Sequence, residues 1–309
     1  MKKIFIDGSV GTTGLRIAER LEQRSDVEII RLPEEKRKDD SARKEALNAC
    51  DVAFLCLPDP AAISAVEMIE SPNVTVIDAS TAHRTNDGWC YGFPELSDDI
   101  KKRLPMAKRI AVPGCHASGF IALVYPLIEA GLLSADIKLT CHSITGYSGG
   151  GKKMISEYSD EDRSVLLDAP RQYGLTQQHK HLKEMKAITG LEDAPIFCPI
   201  VSDFYSGMMV TVPLFASDIK NGGIEDIKSI YREKYNTDIV RYVETLGDGA
   251  FVSAHEKMNK DSMDISVMGN DDRIILVAVY DNLGKGASGA AVECLNYVLG
   301  VDPKTGLEI

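Results

Sequence analysis

Residues 2–23 read KKIFIDGSVGTTGLRIAERLEQ. A short apolar run ends at Asp7. Glycines follow at 8, 11 and 14, and apolar side chains then recur at 15, 17, 18 and 21. The first part predicts a strand over 2–7 and the last part a helix over 13–23. Between them, G-x-x-G-x-x-G departs from the usual dinucleotide spacing, G-x-G-x-x-G. It still places glycine where a backbone turns tightly toward a pyrophosphate, ahead of a helix whose N–H groups face the anion. Gly8, Gly11 and Gly14 are therefore the candidate cradle, with Ser9, Thr12 and Thr13 as hydroxyl donors. A plain tight strand-to-helix turn would use the same glycines, so the flanking chain has to decide.

The flanking chain repeats the pattern. Strands are predicted at 27–32 (VEIIRL), 52–57 (VAFLCL) and 74–80 (VTVIDAS), separated by helices at 42–50 and 61–71. Continuous apolar strands alternating with helices imply a parallel sheet covered on both faces, a Rossmann-like doubly wound domain. Residues 34–45, EEKRKDDSARKE, read as a charged, solvated connection. Glu34 and Glu35 stand where an acid would hold an NAD ribose. Arg31, Lys36, Arg37 and Lys38 surround them and suit a 2′-phosphate, so the reading leans to NADP. Further along, strand-like stretches at 137–145, 194–204, 208–216 and 273–282 predict an α+β domain on a mixed or antiparallel sheet. The last segment, 286–300, reads as a helix rich in small residues. The expected division is 1–116 completed by 285–309, and 117–284.

The chain has 309 residues and a formal net charge of −11, which disfavours nucleic acid and anionic membrane as partners. No run approaches the roughly 18 apolar residues of a membrane helix, and the start lacks a signal-peptide core. Seven cysteines, scattered and without a CxxC pair, suggest neither a disulfide framework nor a structural zinc site. A reducing cytoplasm is the expected setting, with no metal.

One cysteine stands out. AVPGCHASGF (111–120) puts Cys115 after a Pro-Gly turn and before an apolar stretch. A helix starting near Ala117 would favour a thiolate there and offer N–H groups to an oxyanion. Most cysteines in such a chain are inert filler, so the thiol needs a proton partner. His116 would point elsewhere on a regular backbone. QQHKHLKEM (177–185) supplies His179 and His181, with Glu184 one helical turn after His181 and on the same face. The spacing is not HExxH, which excludes a zinc-protease reading. GYSGGGKK (146–153) nearly spells a P-loop, but Lys153 stands where the magnesium-binding hydroxyl belongs. Arg84, Arg171, Lys152 and Lys153 are candidates for holding a small anion, the arginines preferred for their bidentate geometry.

Taken in order, FIDGSVGTTG, VIDASTAHR, YGFPEL, AVPGCHASGF, QQHKHLKE and DNLGKGASGAAVECLN resemble the N-acetyl-γ-glutamyl-phosphate reductase family in its shorter form. The match runs from residue 4 to about 300. The resemblance places the chain beside the aspartate-semialdehyde and glyceraldehyde-3-phosphate dehydrogenases in fold and thiol chemistry. It implies NADPH-dependent reduction of an acyl phosphate to a semialdehyde, in arginine biosynthesis. Cys115 would be the nucleophile and His181 the acid/base. Ser80 and Arg84 would border the cleft for the anionic acyl-phosphate substrate; Arg171 and His179 are further candidates to bind it. The glycine loop would hold NADP, with Asn282, Lys285 and Gly286 on the nicotinamide side. It also implies a homo-oligomer, a dimer or tetramer.

Overall fold

The computed structural model describes residues 1–309. The chain divides into two units, Met1–Pro113 with Ala287–Leu307, and Gly114–Gly286 with Glu308–Ile309. This differs slightly from the division read off the sequence. Cys115 and His116 open the second unit, and Lys285 and Gly286 belong to it as well.

In chain order the first unit contains β1 (Lys2–Asp7), α1 (Thr12–Glu22), β2 (Val27–Ile30), α2 (Asp40–Ala49), β3 (Val52–Leu55) and α3 (Asp59–Glu67). It continues with β4 (Thr75–Asp78), β5 (Cys90–Tyr91), α4 (Asp98–Arg103) and β6 (Arg109–Ala111). The second unit contains α5 (Cys115–Glu129), β7 (Thr140–Gly146), α6 (Gly151–Ser159), β8 (Arg171–Gln172), α7 (His181–Thr189) and β9 (Ile196–Ser202). β10 (Met208–Phe215), α8 (Ile224–Lys234), β11 (Val240–Tyr242), β12 (Met263–Gly269) and β13 (Arg273–Tyr280) complete it. α9 (Gly289–Leu299) then returns to the first unit.

The first sheet has the order β2-β1-β3-β4-β6-β5, parallel throughout. Its central strands are buried at nearly every position, β3 (VAFL) wholly apolar, because both faces are covered. Ile4 and Ile6 of β1 pack with Ile17, Leu21, Ala291 and Leu295 on one face. Phe5 packs with Leu47, Ala62 and Ala65 on the other. The strand order reverses at β1, between β2 and β3, and this is where open α/β sheets bind ligands beyond the strands' carboxyl ends. The loop leaving β1 at that point is the glycine loop.

The charged stretch 34–45 is not simply a solvated connection. Asp39 caps α2 by accepting from the Ala42 amide at 2.7 Å, and Arg43 turns inward to Asp7 at 2.9 Å. The segment 286–300 is not one helix either. Gly286 donates to the Asp281 carbonyl at 3.0 Å, a wider turn over 284–288, and α9 begins only at Gly289.

The second sheet has the order β11-β12-β13-β10-β7-β9-β8 and is mixed. β10 shows why its strands read as alternating: Met208, Val210, Val212 and Leu214 are buried, while Pro213 and Phe215 are exposed. One face is covered, in part by α5, whose residues from His116 to Val124 are all buried.

Candidate active site

Two of the helices that begin without a side-chain cap start where the sequence singled out a site. At α1 the N-cap is Gly11, and no acid occupies the first turn. The N–H groups of Thr12, Thr13 and Gly14 therefore open toward an anion. The glycines have a steric reason. Gly8 has φ +87°, and a Cβ there would lie 2.3 Å from the Cys56 carbonyl oxygen. A Cβ on Gly14 would lie 2.4 Å from the Gly8 oxygen, and one on Gly11 would crowd the same oxygen at 3.3 Å. The loop is folded tightly upon itself, as a backbone cradle for pyrophosphate requires.

Beside it lies a cavity of about 800 Å³, bordered by Gly8, Ser9, Arg31, Glu35, Arg37 and Lys38. The cations along it are not equivalent. Arg31 pairs with Glu22, and Arg43 with Asp7 and Asp40. Burial works against the charge on Arg43, but the Asp7 carboxylate outweighs it and raises its pKa. Arg37 and Lys38 also line the cavity. The shape and charge of this region fit a dinucleotide.

At α5 the N-cap is Gly114, again uncapped, and Cys115 is the first helical residue with its side chain partly exposed. The helix starts two residues earlier than Ala117, so the thiol itself stands at the positive helix end. Glu184 of α7 accepts the Gly114 N–H at 2.8 Å and pins this turn. Tyr280 works on its far side. Its hydroxyl donates to the Cys115 carbonyl at 2.5 Å and accepts the Gly119 N–H at 3.0 Å. Those two backbone groups belong to the first helical turn, and the tyrosine ties that turn to β13. Gly119 admits it, since a Cβ there would lie 2.7 Å from the hydroxyl. Gly286 approaches just as closely, its missing Cβ falling 3.1 Å from that of Cys115.

Around the thiol turn lies a cluster of rings. His116 is buried, with Nδ1 at 2.7 Å from Ser143 Oγ and Nε2 at 2.6 Å from Tyr173 Oη. The His116 ring lies 5.6 Å from that of His181 and 5.8 Å from that of His179. His179 and His181 meet edge to face at 4.8 Å, and His179 Nδ1 accepts the His181 amide at 3.2 Å. Burial pushes His116 down to about 3, with His179 adding to it, and pushes His179 down to about 4, with Lys180 adding. Both are neutral at physiological pH. His181, at the start of α7, is also buried.

The remaining expected residues have partners of their own. Ser80 donates from its hydroxyl to Asp78 at 2.7 Å, and His83 Nδ1 joins the same carboxylate at 2.6 Å. Arg84 is buried and directs its guanidinium at the carbonyls of Val112 (2.9 Å) and Ala79 (3.2 Å). That braces the backbone leading into the Pro-Gly turn. Asn282 accepts from Gly207 at 2.9 Å and donates to Ser148 at 3.0 Å, so its amide supports the GYSGGG loop within the second unit. Lys285 is buried in the turn ahead of Gly286. Arg171 bonds Tyr158 Oη at 3.1 Å and stacks over its ring, with no carboxylate partner. Lys152 and Lys153 are exposed on the first turn of α6. Sequence reading missed Tyr173, Tyr280, Ser143 and the Asp7–Arg43 pair.

A family profile described as "Semialdehyde dehydrogenase, NAD binding domain" matches residues 3–103, and "Semialdehyde dehydrogenase, dimerisation domain" matches residues 115–282. The chain is 42% identical over 321 residues to N-acetyl-gamma-glutamyl-phosphate reductase 2 of Nostoc sp., covering 99% of each. It is 44% identical to the N-acetyl-gamma-glutamyl-phosphate reductase of Brucella ovis, covering 96% of this chain and 99% of the other. The chain belongs to the N-acetyl-γ-glutamyl-phosphate reductase family. The fold of that family is shared more widely. Aspartate semialdehyde dehydrogenase from Francisella tularensis has a TM-score of 0.72 at 14% identity, covering 97% of this chain and 100% of the other. The enzyme of that name from Candida albicans, solved with NADP, has a TM-score of 0.70 at 16% identity, covering 97% and 99%. Membership makes this chain an oxidoreductase acting on an acyl phosphate. No helix is long and apolar enough to cross a membrane.

Proposed function

We propose that this chain reduces N-acetyl-L-glutamyl 5-phosphate to N-acetyl-L-glutamate 5-semialdehyde through a thioester on Cys115. The supporting observation is the position of that thiol as first residue of an uncapped helix, pinned by Glu184 and Tyr280. Attack by the Cys115 thiolate on the acyl carbon expels phosphate and forms the thioester. NADPH, when bound, supplies hydride to the thioester carbon. Collapse of the resulting tetrahedral centre breaks the C–S bond, frees the aldehyde and returns the thiolate. His181 is the acid/base that exchanges a proton with the tetrahedral oxygen. N–H groups of the first turn of α5 hold that oxygen, a contribution of roughly 3–4 kcal/mol per donor in studied enzymes. Gly8, Ser9, Gly11, Thr12, Thr13 and Gly14 hold the dinucleotide pyrophosphate. Arg171, free of any carboxylate, is the cation best placed to take a substrate anion.

The test is the reverse reaction. Semialdehyde, phosphate and NADP are mixed with wild type and Cys115→Ser, following absorbance of the reduced cofactor. Phosphate-dependent signal in wild type and a loss of at least about 10³-fold in the variant are expected, as for loss of a nucleophile. Signal retained in the variant would sink the thioester route.

The open face of the second sheet supports a homo-oligomer. Ile196, Phe215 and Ile275 are exposed there, with Phe215 at 63%. A second copy covering this face fits the match to a dimerisation domain. Sedimentation showing a monomer at micromolar concentration would refute it. All seven cysteines are free thiols, which suits a reducing cytoplasm.

A further inference from the structure

The chain Ser143–His116–Tyr173 has a direction that can be worked out. A neutral imidazole has one donor and one acceptor nitrogen, and His116 is neutral. Two arrangements are open. In the first, Ser143 donates to Nδ1, and Nε2–H donates to the Tyr173 oxygen. In the second, Nδ1–H donates to Ser143, and Tyr173 donates to Nε2.

Burial separates them. Ser143 is 0% exposed, and its hydroxyl has one hydrogen-bond partner, His116 Nδ1. In the second arrangement the Ser143 proton would sit in the interior with no acceptor, and a buried orphan donor carries its full desolvation penalty. Tyr173 is half-buried, so its proton is under no such constraint. The first arrangement wins. Its consequence lies at the far end: Tyr173 accepts from His116 and keeps its own proton for something else.

What that proton meets follows from location. His116 directly follows Cys115 in α5. Burial, and then the negative charge of Cys115, push the Tyr173 phenol well above its ordinary value, so it stays protonated next to the thiol turn. We propose that Tyr173 is a further catalytic residue, donating a hydrogen bond to the acyl oxygen carried on Cys115, with His116 and Ser143 as the positioning residues that aim it. This rests on the thioester reading above. No proton is transferred in it. The phenol keeps its hydrogen while the acyl oxygen gains negative charge on hydride addition and loses it on collapse. The hydrogen bond is therefore strongest at the tetrahedral centre, the condition for raising kcat rather than tightening binding.

Two measurements test it. In the ligand-free enzyme, nitrogen NMR of the ring should show His116 neutral with the proton on Nε2 from pH 6 to 8. In the phosphate-dependent assay, Tyr173→Phe should lower kcat on the order of 100-fold, with KM for the semialdehyde changed less than about threefold. Its melting temperature should fall by a few degrees and no more, because the ring is retained while the buried His116 Nε2–H loses its acceptor. A proton on Nδ1, or a charged ring, would overturn the proposal. So would a Tyr173→Phe kcat within threefold of an active wild type. A wild type with no turnover would overturn the reductase reading and this proposal with it.

Discussion

The helix starts at α1 and α5 do related work with opposite materials. The loop before α1 is made of backbone: three glycines within seven residues, each placed where a Cβ would meet a carbonyl oxygen. The turn before α5 is held by side chains from distant parts of the chain. Glu184 grips it from 70 residues away and Tyr280 from 165. An anion cradle needs only N–H groups converging at close range, which a short stretch of chain supplies by itself. A nucleophile must be held to a fraction of an ångström in several directions, and no local segment can do that.

That contrast can be broken most severely at Gly8. In Gly8→Ala the new Cβ meets the Cys56 carbonyl, and the positive φ adds strain of about 1–3 kcal/mol. The loop must move. NADPH affinity, followed by fluorescence titration, should fall roughly 100-fold or more, since about 2.7 kcal/mol of lost contacts suffices. Alkylation of Cys115 by iodoacetamide in the cofactor-free protein should be unchanged. Unaltered NADPH binding would mean the pyrophosphate does not lie in this loop.

Tyr280→Phe sharpens the other half. It removes both hydrogen bonds by which β13 holds the first turn of α5. A displacement of the thiol by about 1 Å would cost on the order of 10–100-fold in kcat. The loss of two buried hydrogen bonds would lower stability by about 1–3 kcal/mol. NADPH affinity should hold. A kcat equal to that of wild type would show that Tyr280 does not position the thiol.

The smallest effect is on pH dependence. Unfolded, a histidine takes up a proton below about pH 6.5. Folded, His116 resists until about pH 3 because burial, and then His179, disfavour its charged form. Its contribution is thus complete above pH 6.5 and is lost as pH falls toward 3, at about 1.4 kcal/mol per pH unit. Urea unfolding at pH 6.5 and 5 should show a drop about 2 kcal/mol smaller in His116→Asn than in wild type. Equal drops would place the titration on another group.

How much could be read from sequence follows the same contrast. The doubly wound sheet was legible because its strands carry continuous apolar runs and its glycine loop is contiguous. The meeting of the His179 and His181 rings was legible in HKH, and the place of Cys115 at a helix start in the turn chemistry before it. Tyr280 was not, because it ends the apolar run of β13 and nothing local separates it from core. Gly119 carried a signal, an unexplained glycine in a helix, but its reason sits on another strand. Arg84 was read as a substrate ligand from the resemblance and from the bidentate geometry of its guanidinium. Its burial against the Val112 and Ala79 carbonyls is a property of the fold. The stretch 34–45 looked solvated by composition, yet one of its charges, Arg43, balances a carboxylate at the end of β1.

The measurement that bears most directly on the central claim is capture of the acyl enzyme. Wild type is mixed with semialdehyde and NADP in the absence of phosphate, quenched in acid, and digested for mass spectrometry. The account predicts an N-acetylglutamyl adduct on the peptide containing Cys115, formed together with one equivalent of reduced cofactor and discharged by added phosphate. Reduced cofactor forming with no adduct on Cys115 would contradict it.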